Sequence, residues 1–453
     1  FEITNGKRSE NKTLNLIFPT IGLLLIGQSI LFFNHEMFHP SFFTLSPIIG
    51  VCLIIWFSNK DELISKILST KLFTGIGLIS YSLYLWHYPI FAFDRIIEFS
   101  QGSLFKKLLL GIIILAVSIF SYYFIERPFR NKNNKFKVIN IQIAIFISVL
   151  MIFNFSVLHK DGYKGRLPKI LQNLSESSWN LLKNLDNEIC YDKIEGCKFN
   201  IQSTKKVYLI GDSHMASLMF DLKDRIVKKN YQFITLTFRG CSFYPGFNRI
   251  YRKTQKIHYC NDNYHQRVKQ ILSNYKNSII IVGGRFPLHL SNQFLDNQEG
   301  GIEQVYDGGK WNKKYVPVGK YDTIQNSFKN EISELSKNNK IILMYPIPET
   351  GWDPNYEIYN QWVKQRFNKN FNLTNVTTSY EVYKNRTKLS FELLDSIQGD
   401  NILRVYPHTL FCDTIIKDRC LSNNDNYIFY ADNNHPSSKG GEMINNLIMK
   451  EIE

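Results

Sequence analysis

The chain has 453 residues, of which 44% are hydrophobic and 21% are charged, with a formal net charge of +15 at pH 7. A chain of this length accommodates two or more domains, and its mean hydropathy averages over two dissimilar parts. The basic excess favours anionic glycans or lipid headgroups over nucleic acid as partners, although a solvated basic surface is the commoner explanation. We therefore expect no nucleic-acid partner.

The N-terminal third of the chain is dominated by apolar segments. They lie at 14–33, 42–58, 72–93, 108–125 and 138–158. Each is long enough to cross the bilayer core as a helix, which takes roughly 17 to 25 residues. Because the chain opens on Phe1 without an initiator Met, we expect an internal start rather than a cleavable signal peptide. The pattern predicts a multi-pass α-helical membrane region over 1–158, embedded in a lipid bilayer.

The orientation of these segments follows from the Lys and Arg residues in the short loops, because such residues accumulate on the cytoplasmic side. Basic residues are common before the first segment, between the second and third, and between the fourth and fifth. The opposite hairpins carry only Arg95, Lys106 and Lys107. The N-terminus is therefore predicted inside, and everything after Leu158 outside.

Six of the seven cysteines follow the last apolar segment and fall in close pairs, which are Cys190 with Cys197, Cys241 with Cys260, and Cys412 with Cys420. An even set of cysteines in an extracytoplasmic domain indicates disulfides, although six cysteines allow many connectivities. A zinc site is the alternative, but no C-x2-C pair occurs here. We expect disulfides between neighbours and no metal.

The region after the membrane segments divides into two parts. Residues 159–205 are polar and predict a linker that lifts the outer domain from the membrane. From 206 onwards, candidate strands at 207–210, 233–237, 279–282, 341–345 and 402–406 alternate with helical patterns at 215–228, 264–275, 321–337 and 437–450. This alternation predicts an α/β domain over 206–453 with a mostly parallel sheet covered on both faces.

The stretch KVYLIGDSHMAS, residues 206–217, places Ser213 after a strand that is broken by Gly211. Ligands bind at the carboxyl ends of strands in open α/β sheets, and helix N-termini stabilise negative charge there. Ser213 could therefore be a nucleophile. It could equally be a helix cap, since Asp and Ser are preferred N-cap residues.

Near the C-terminus, YADNNHPSSKGG places Asp432 and His435 three residues apart, ahead of a helical pattern. A Ser-His-Asp system needs an imidazole to take the serine proton and a carboxylate to orient that imidazole. Taken alone, a D-x-x-H sequence is common, and a surface Asp followed by a capping His is the simpler interpretation. The order of the motifs changes this, because GDS opens the α/β domain and D-x-x-H closes it.

This arrangement over 206–453 resembles the SGNH (GDSL-like) hydrolase superfamily. The resemblance implies a three-layer αβα fold, with Ser213, Asp432 and His435 as the catalytic triad. It also implies an oxyanion hole of the serine N–H, a glycine that best matches Gly240, and an asparagine. At the asparagine position the sequence has Gly284 and Arg285. Either Arg285 or another donor substitutes, or the hole has one donor fewer.

The membrane region contains LISYSLYLWHYPIF and YYFIERPFR. His87 in the first motif is an ionisable residue within a membrane segment, which marks either a functional site or a histidine hydrogen-bonded between helices. Both motifs resemble the C-terminal part of the acyltransferase-3 family, and Phe1 is expected to begin within that family's membrane domain.

The joint resemblance implies a bacterial inner-membrane O-acetyltransferase of lipopolysaccharide or a related polysaccharide, with a periplasmic SGNH domain. Acetyl-CoA would supply the acetyl group to the complete membrane domain, Ser213 would carry it, and a glycan hydroxyl would accept it. A periplasmic glycan O-acyl esterase and a membrane-anchored glycan-binding domain with a defunct site are the alternatives. The sequence specifies neither the sugar nor the oligomeric state.

Overall fold

The computed structural model describes residues 11–33, 37, 41–59, 62–97, 103–130, 136–274, 276–303, 306–365 and 373–453. The chain divides into two compact units, Phe1–Ser156 and Val157–Glu453.

The first unit is helical throughout its described residues. Its helices are α1 (Lys12–Phe32), α2 (Leu45–Phe57), α3 (Leu63–Leu68), α4 (Lys71–Ile97), α5 (Leu104–Ser121), α6 (Arg127–Arg130) and α7 (Phe136–His159). A π-helical turn, Tyr122–Glu126, joins α5 to α6. The apolar segments predicted from the sequence lie almost entirely on helical residues, including a 3-10 turn at Phe42–Thr44 before α2 and the π-helical turn after α5.

Three of the described helical stretches are long and apolar enough to cross a membrane, namely Lys12–Phe32, Leu104–Arg130 and Lys137–His159. The sequence predicted five. The stretch Phe42–Phe57 is apolar but shorter. Helix α4 has 27 residues, but Ser82, His87 and Asp94 dilute its apolar character.

Two glycines determine how closely α1 and α2 pack. A Cβ added at Gly22 would lie 2.5 Å from the Gly50 carbonyl oxygen, and one added at Gly50 would lie 2.6 Å from that of Gly22. Small residues at such contacts let membrane helices approach backbone to backbone.

The second unit is an α/β domain. Its strands are β1 (Cys197–Phe199), β2 (Lys206–Gly211), β3 (Gln232–Thr237), β4 (Phe247–Tyr251), β5 (Ile279–Val282), β6 (Lys313–Pro317), β7 (Lys340–Met344), β8 (Thr377–Ser379), β9 (Ile402–Val405) and β10 (Arg419–Leu421). Its helices are α8 (Lys169–Gln172), α9 (Ser213–Ala216), α10 (Met219–Lys228), α11 (Asp262–Ser273), α12 (Phe286–Ser291), α13 (Ile324–Ser336), α14 (Pro354–Gln365), α15 (Tyr380–Asp395), α16 (His408–Phe411) and α17 (Ser438–Ile452).

The main sheet of this unit has the strand order β1-β3-β2-β5-β7-β9. Strands β3, β2, β5, β7 and β9 run parallel, and β1 pairs antiparallel with β3 at the edge. Alternate side chains of β2 enter different cores: Val207 and Leu209 pack in a cluster with residues of α10 and α17, whereas Tyr208 and Ile210 pack in a cluster with residues of α11 and α13. The sheet therefore lies between two helical layers, as the sequence predicted.

The predicted linker, 159–205, is in part built into the domain. It supplies the edge strand β1, and Ile170, Leu171 and Leu182 are buried. The prediction of a free spacer was wrong for this part, because scattered apolar residues in a polar segment find partners that are distant in sequence. The second compact unit, Val157–Glu453, thus includes the segment that the sequence predicts as a linker.

All three predicted disulfides are formed: Cys190–Cys197, Cys241–Cys260 and Cys412–Cys420. Cys241 and Cys260 lie near His265 in a group whose size would suit a metal ion. Their sulfurs are bonded to each other, so they are not available as thiolate ligands.

Candidate active site

Ser213 lies at the carboxyl end of the central strand β2. The strand ends at Gly211, Asp212 is the N-cap of α9, and Ser213 is the first residue of that helix. Its neighbours in the sheet, β3 and β5, end on the same side because all three strands run parallel. The loops that follow these three strands therefore begin at the same edge of the sheet, around the serine.

His435 and Asp432 reach Ser213 from the loop that precedes α17. The Ser213 Oγ lies 2.8 Å from His435 Nε2, and the Asp432 Oδ2 lies 2.7 Å from His435 Nδ1. The backbone N–H groups of Asn434 and His435 donate to Asp432 Oδ1 at 2.9 and 2.8 Å. The structure thus brings together the three side chains that the sequence singled out, in the order serine, imidazole, carboxylate.

The Asp432 carboxylate is ionised at neutral pH. Burial opposes its ionisation, but hydrogen bonds from the His435 ring and from the backbone N–H groups of His435 and Asn434 lower its pKa to about 2. An ionised carboxylate at Nδ1 holds the proton on that nitrogen, which leaves Nε2 as an acceptor for the serine hydroxyl.

Two aromatic residues from the predicted linker form one wall of this site. The Trp179 indole is stacked on the His435 imidazole, with ring centroids 5.6 Å apart and planes inclined by 2°. Tyr191 packs edge-on against Trp179. Burial raises the pKa of Tyr191 above its usual range. Sequence reasoning missed both residues because it treated their segment as a spacer.

Asp212 and His214, which flank the serine, anchor its loop. The buried Asp212 carboxylate accepts hydrogen bonds from the backbone N–H groups of His214 and Arg285 and from the Ser242 hydroxyl. His214 Nε2 lies 3.0 Å from the Asn434 side-chain oxygen. Burial lowers the pKa of His214 to about 4, so a neutral imidazole donates to Asn434. These contacts tie the GDS loop to the D-x-x-H loop.

The donors of Arg285 are engaged with carboxylates in this structure, whereas Gly284 stays a predicted oxyanion donor. A Cβ at Gly284 would face the Ser242 hydroxyl and Asp212, so this glycine packs behind the serine loop. The Arg285 backbone N–H donates to Asp212, its Nε pairs with Glu349, and its Nη atoms pair with Glu303. The sequence pattern did not predict these partners of Arg285, because Glu303 and Glu349 come from two separate loops and hold the guanidinium in buried ion pairs.

Gly240, the predicted oxyanion donor from the segment after β3, lies close to Ser213. It lies in the turn after β3 and, with Ser213, lines a cavity of about 170 Å³. Its φ of +56° lies in the left-handed region that favours glycine. The Arg249 guanidinium donates to the carbonyl oxygens of Gly240 and Arg239 and thereby fixes the turn.

His87 lies in the other unit. Its Nδ1 is 2.7 Å from the Tyr84 carbonyl oxygen and 3.2 Å from that of Leu83, so the ring N–H donates within its own helix. The Ser82 hydroxyl donates to Glu126 at 3.0 Å, and this bond joins the two motifs noted in the sequence. A functional role of His87 stays a prediction.

Comparison with known proteins places these observations in a family. Residues 183–450 match the family described as SGNH domain (fused to AT3 domains). The peptidoglycan O-acetyltransferase OatA of Listeria monocytogenes is 36% identical over 93 residues, which is 20% of this chain and 15% of that protein. The O-acetyltransferase OatA of Staphylococcus aureus is 34% identical over 121 residues, which is 26% of this chain and 19% of that protein. The matches thus span less than a fifth of the length of these relatives.

Among solved structures, the periplasmic domain of a lipopolysaccharide acetyltransferase from Salmonella ser. Paratyphi A aligns with 59% of this chain and 92% of that chain. The sequence identity is 17% and the TM-score is 0.36. At that TM-score the likeness does not inform the function of this chain.

Proposed function

Since the chain belongs to the family of SGNH domains that are fused to AT3 domains, we propose that it is an O-acyltransferase of extracytoplasmic bacterial polysaccharide, with acetyl as the transferred group. The observation that carries the proposal is the hydrogen-bonded series Ser213, His435, Asp432 at the carboxyl edge of the sheet. A glycan-binding domain would have no need of this arrangement.

The first half of the reaction acylates the enzyme. As Ser213 Oγ attacks the carbonyl carbon of the acyl donor, His435 Nε2 takes the hydroxyl proton and the Asp432 carboxylate stabilises the imidazolium. The tetrahedral intermediate then collapses, the donor's leaving group departs with the proton from His435, and the acyl group remains on Ser213 as an ester.

The second half transfers the acyl group to the glycan. His435 Nε2 takes the proton of an acceptor hydroxyl, whose oxygen attacks the Ser213 ester. Collapse of the second intermediate breaks the bond to Ser213 Oγ, and His435 returns the proton to that oxygen. Water in place of the acceptor would give an esterase with the same residues, so the outcome depends on the acceptor occupying the cavity beside Ser213.

Two backbone N–H groups are the proposed oxyanion donors, those of Ser213 at the start of α9 and of Gly240 in the turn after β3. The Arg239 carbonyl belongs to the same peptide as the Gly240 N–H, and it accepts from Arg249 Nη2 at 3.4 Å. Because the N–H and C=O of a trans peptide point in opposite directions, the Gly240 N–H is directed away from Arg249. Removing one such donor typically costs about 100-fold to 1000-fold in rate.

The membrane unit is proposed to supply the acyl group to the SGNH domain. In this proposal it is part of an acyltransferase-3 domain in the bacterial inner membrane that takes acetyl from cytoplasmic acetyl-CoA, and the SGNH domain is periplasmic. The three apolar helices support the membrane location. His87 is the candidate residue of this unit for acyl handling.

The acceptor is proposed to be a surface polysaccharide. Relatives with detectable identity are named for O-acetylation, one of them for peptidoglycan, and lipopolysaccharide is the acceptor favoured by the order of the sequence motifs. The decisive experiment is mass spectrometry of purified lipopolysaccharide and peptidoglycan from cells with the full-length gene, without it, and with the Ser213→Ala variant. Acetyl groups should be present in one polymer with the native gene only. More acetyl without the gene would indicate an esterase instead.

A further inference from the structure

The cavity beside Ser213 has a basic wall. Among its lining residues are Arg249 from β4 and Lys313 from β6. The strands β4 and β6 form a two-stranded antiparallel sheet. Both cations lie over the Trp311 ring: Arg249 Cζ is 5.5 Å and Lys313 Nζ is 5.7 Å from its ring centroid.

Arg249 is a buried cation whose partners are neutral. Its side chain is 1% exposed. Its Nη atoms contact the carbonyl oxygens of Gly240 and Arg239 and the His258 ring, and its Nε has no hydrogen-bond partner. Within the described part of the chain, no carboxylate forms an ion pair with Arg249 or with Lys313. Burying a charge without a counter-charge is costly.

The other charges at the cavity are already compensated. Arg239 pairs with Asp192, and Arg285 together with Arg386 balances the charges of Glu303 and Glu349. Asp212 is the one remaining anion among the lining residues, and its carboxylate accepts three hydrogen bonds from His214, Ser242 and Arg285. Arg249 and Lys313 against Asp212 leave one positive charge in excess. Burial and the nearby Arg249 lower the pKa of Lys313 to about 8, so most of this lysine is protonated at neutral pH.

We propose that this cavity is an acceptor subsite for an acidic sugar, in which Arg249 and Lys313 bind an oxyanion of the glycan, a carboxylate or a phosphate, beside Ser213. This inference rests on the proposed function, because it names the class of acceptor for the same serine. The size of the cavity, about 170 Å³, is below the roughly 300 to 1,000 Å³ of sites for drug-sized ligands and suits a single sugar residue. Tyr259, which lines the cavity and is 47% exposed, offers apolar surface for the sugar ring.

Simple oxyanions test the subsite without knowledge of the glycan. Binding of D-glucuronate and of neutral D-glucose to the full chain in detergent is measured by saturation-transfer NMR, and binding of inorganic phosphate by equilibrium dialysis. We expect at least one of the two anions to bind about 10-fold more tightly than glucose. A difference of this size corresponds to one additional hydrogen bond to a charged group. Glucuronate alone would assign the subsite to a carboxylate, and phosphate alone to a phosphate.

Lys313 provides the variants, because it is only half-buried. Lys313→Gln should abolish the preference for the anion, and Lys313→Arg should retain it. Lys314→Gln is the matched control, since neighbouring residues of a strand point to opposite faces, and it should leave the preference unchanged. The proposal is overturned if neither anion binds better than glucose, or if Lys313→Gln and Lys314→Gln behave alike.

Labelling of Ser213 by a serine-directed phosphonate, measured in the same preparations, separates the two claims. Anion preference without labelling would refute the acyl-enzyme and leave the subsite in place. Labelling without anion preference would refute the subsite alone.

Discussion

The indole of Trp179 lies flat on the imidazole of His435, with ring planes inclined by only 2°. The backbone next to Trp179 is anchored to helix α17. The Ser178 carbonyl accepts hydrogen bonds from the backbone N–H and the hydroxyl of Ser438, the first residue of that helix. The Asp432 carboxylate, the stacked indole and the edge-on ring of His214 therefore all contact the His435 imidazole. We infer that Trp179 is a positioning residue for the base.

Replacement of Trp179 should slow acylation with little change in substrate binding. A stacked aromatic pair contributes about 0.5 to 1.5 kcal/mol, so Trp179→Ala is expected to lower kcat about 3- to 10-fold for p-nitrophenyl acetate, with KM nearly unchanged. Trp179→Phe keeps a ring on His435 and should restore most of the rate. A raised KM with an unchanged kcat would show that Trp179 binds substrate instead.

The base and its carboxylate can be distinguished from a helix-capping pair. A phosphonate that labels Ser213 needs His435 Nε2 to take the serine proton, so His435→Ala should nearly abolish labelling. Asp432→Asn should slow it strongly while preserving the fold, because an amide no longer holds the Nδ1 proton. Labelling rate and Tm are measured for both variants of the full chain. A lower Tm with unchanged labelling is the outcome expected of mere capping residues, and it would refute the assignment.

Buried histidines should make the outer unit sensitive to mild acid. Burial lowers the pKa of His214 to about 4 and those of His258, His265 and His289 to about 3. In the unfolded chain these groups titrate near 6.5, so between these values the unfolded state binds more protons. The stabilisation is complete above pH 6.5 and is lost as the pH falls towards 3 to 4, by about 2 kcal/mol at pH 5 for each fully buried histidine. The Tm of the full chain should be lower at pH 5 than at pH 7.5, and His265→Gln should reduce the difference. An equal Tm at both pH values would contradict this.

The cysteines give a chemical test of compartment and pairing. In the full chain, unfolded without reductant, only Cys52 should react with a thiol reagent, because the other six cysteines form three disulfides. After reduction all seven should react. Seven reactive thiols before reduction would mean that the outer unit does not mature in an oxidising compartment.

Features with a local cause could be predicted from the sequence. The apolar run from Val207 to Ile210, ended by Gly211, predicted a buried strand and placed Ser213 at its carboxyl end, as the structure shows. The disulfides could be predicted because each joins two cysteines that are close in sequence, 7, 19 and 8 residues apart. Asp432 and His435 share one loop, and their relation to a serine more than 200 residues away followed from the order of the family motifs rather than from periodicity.

Features that depend on contacts distant along the chain could not be predicted. Arg285 looked like a free donor because Glu303 and Glu349, which neutralise it, lie in separate loops. Trp179 lies in a polar segment with no periodic pattern, yet it packs on a histidine near the C-terminus. Arg249 and Lys313 are ordinary basic residues in sequence, and only the pairing of β4 with β6 brings them to one cavity.

The central claim is that the acyl group passes through Ser213. The most direct measurement is peptide mass spectrometry of the full chain after brief incubation with p-nitrophenyl acetate and an acid quench, with Ser213→Ala as the control. The account predicts one acetyl group on the peptide that contains Ser213, its loss on addition of the glycan acceptor with acetylated glycan appearing in its place, and no acetyl group in the variant. Acetylated glycan produced at an undiminished rate by Ser213→Ala would contradict it.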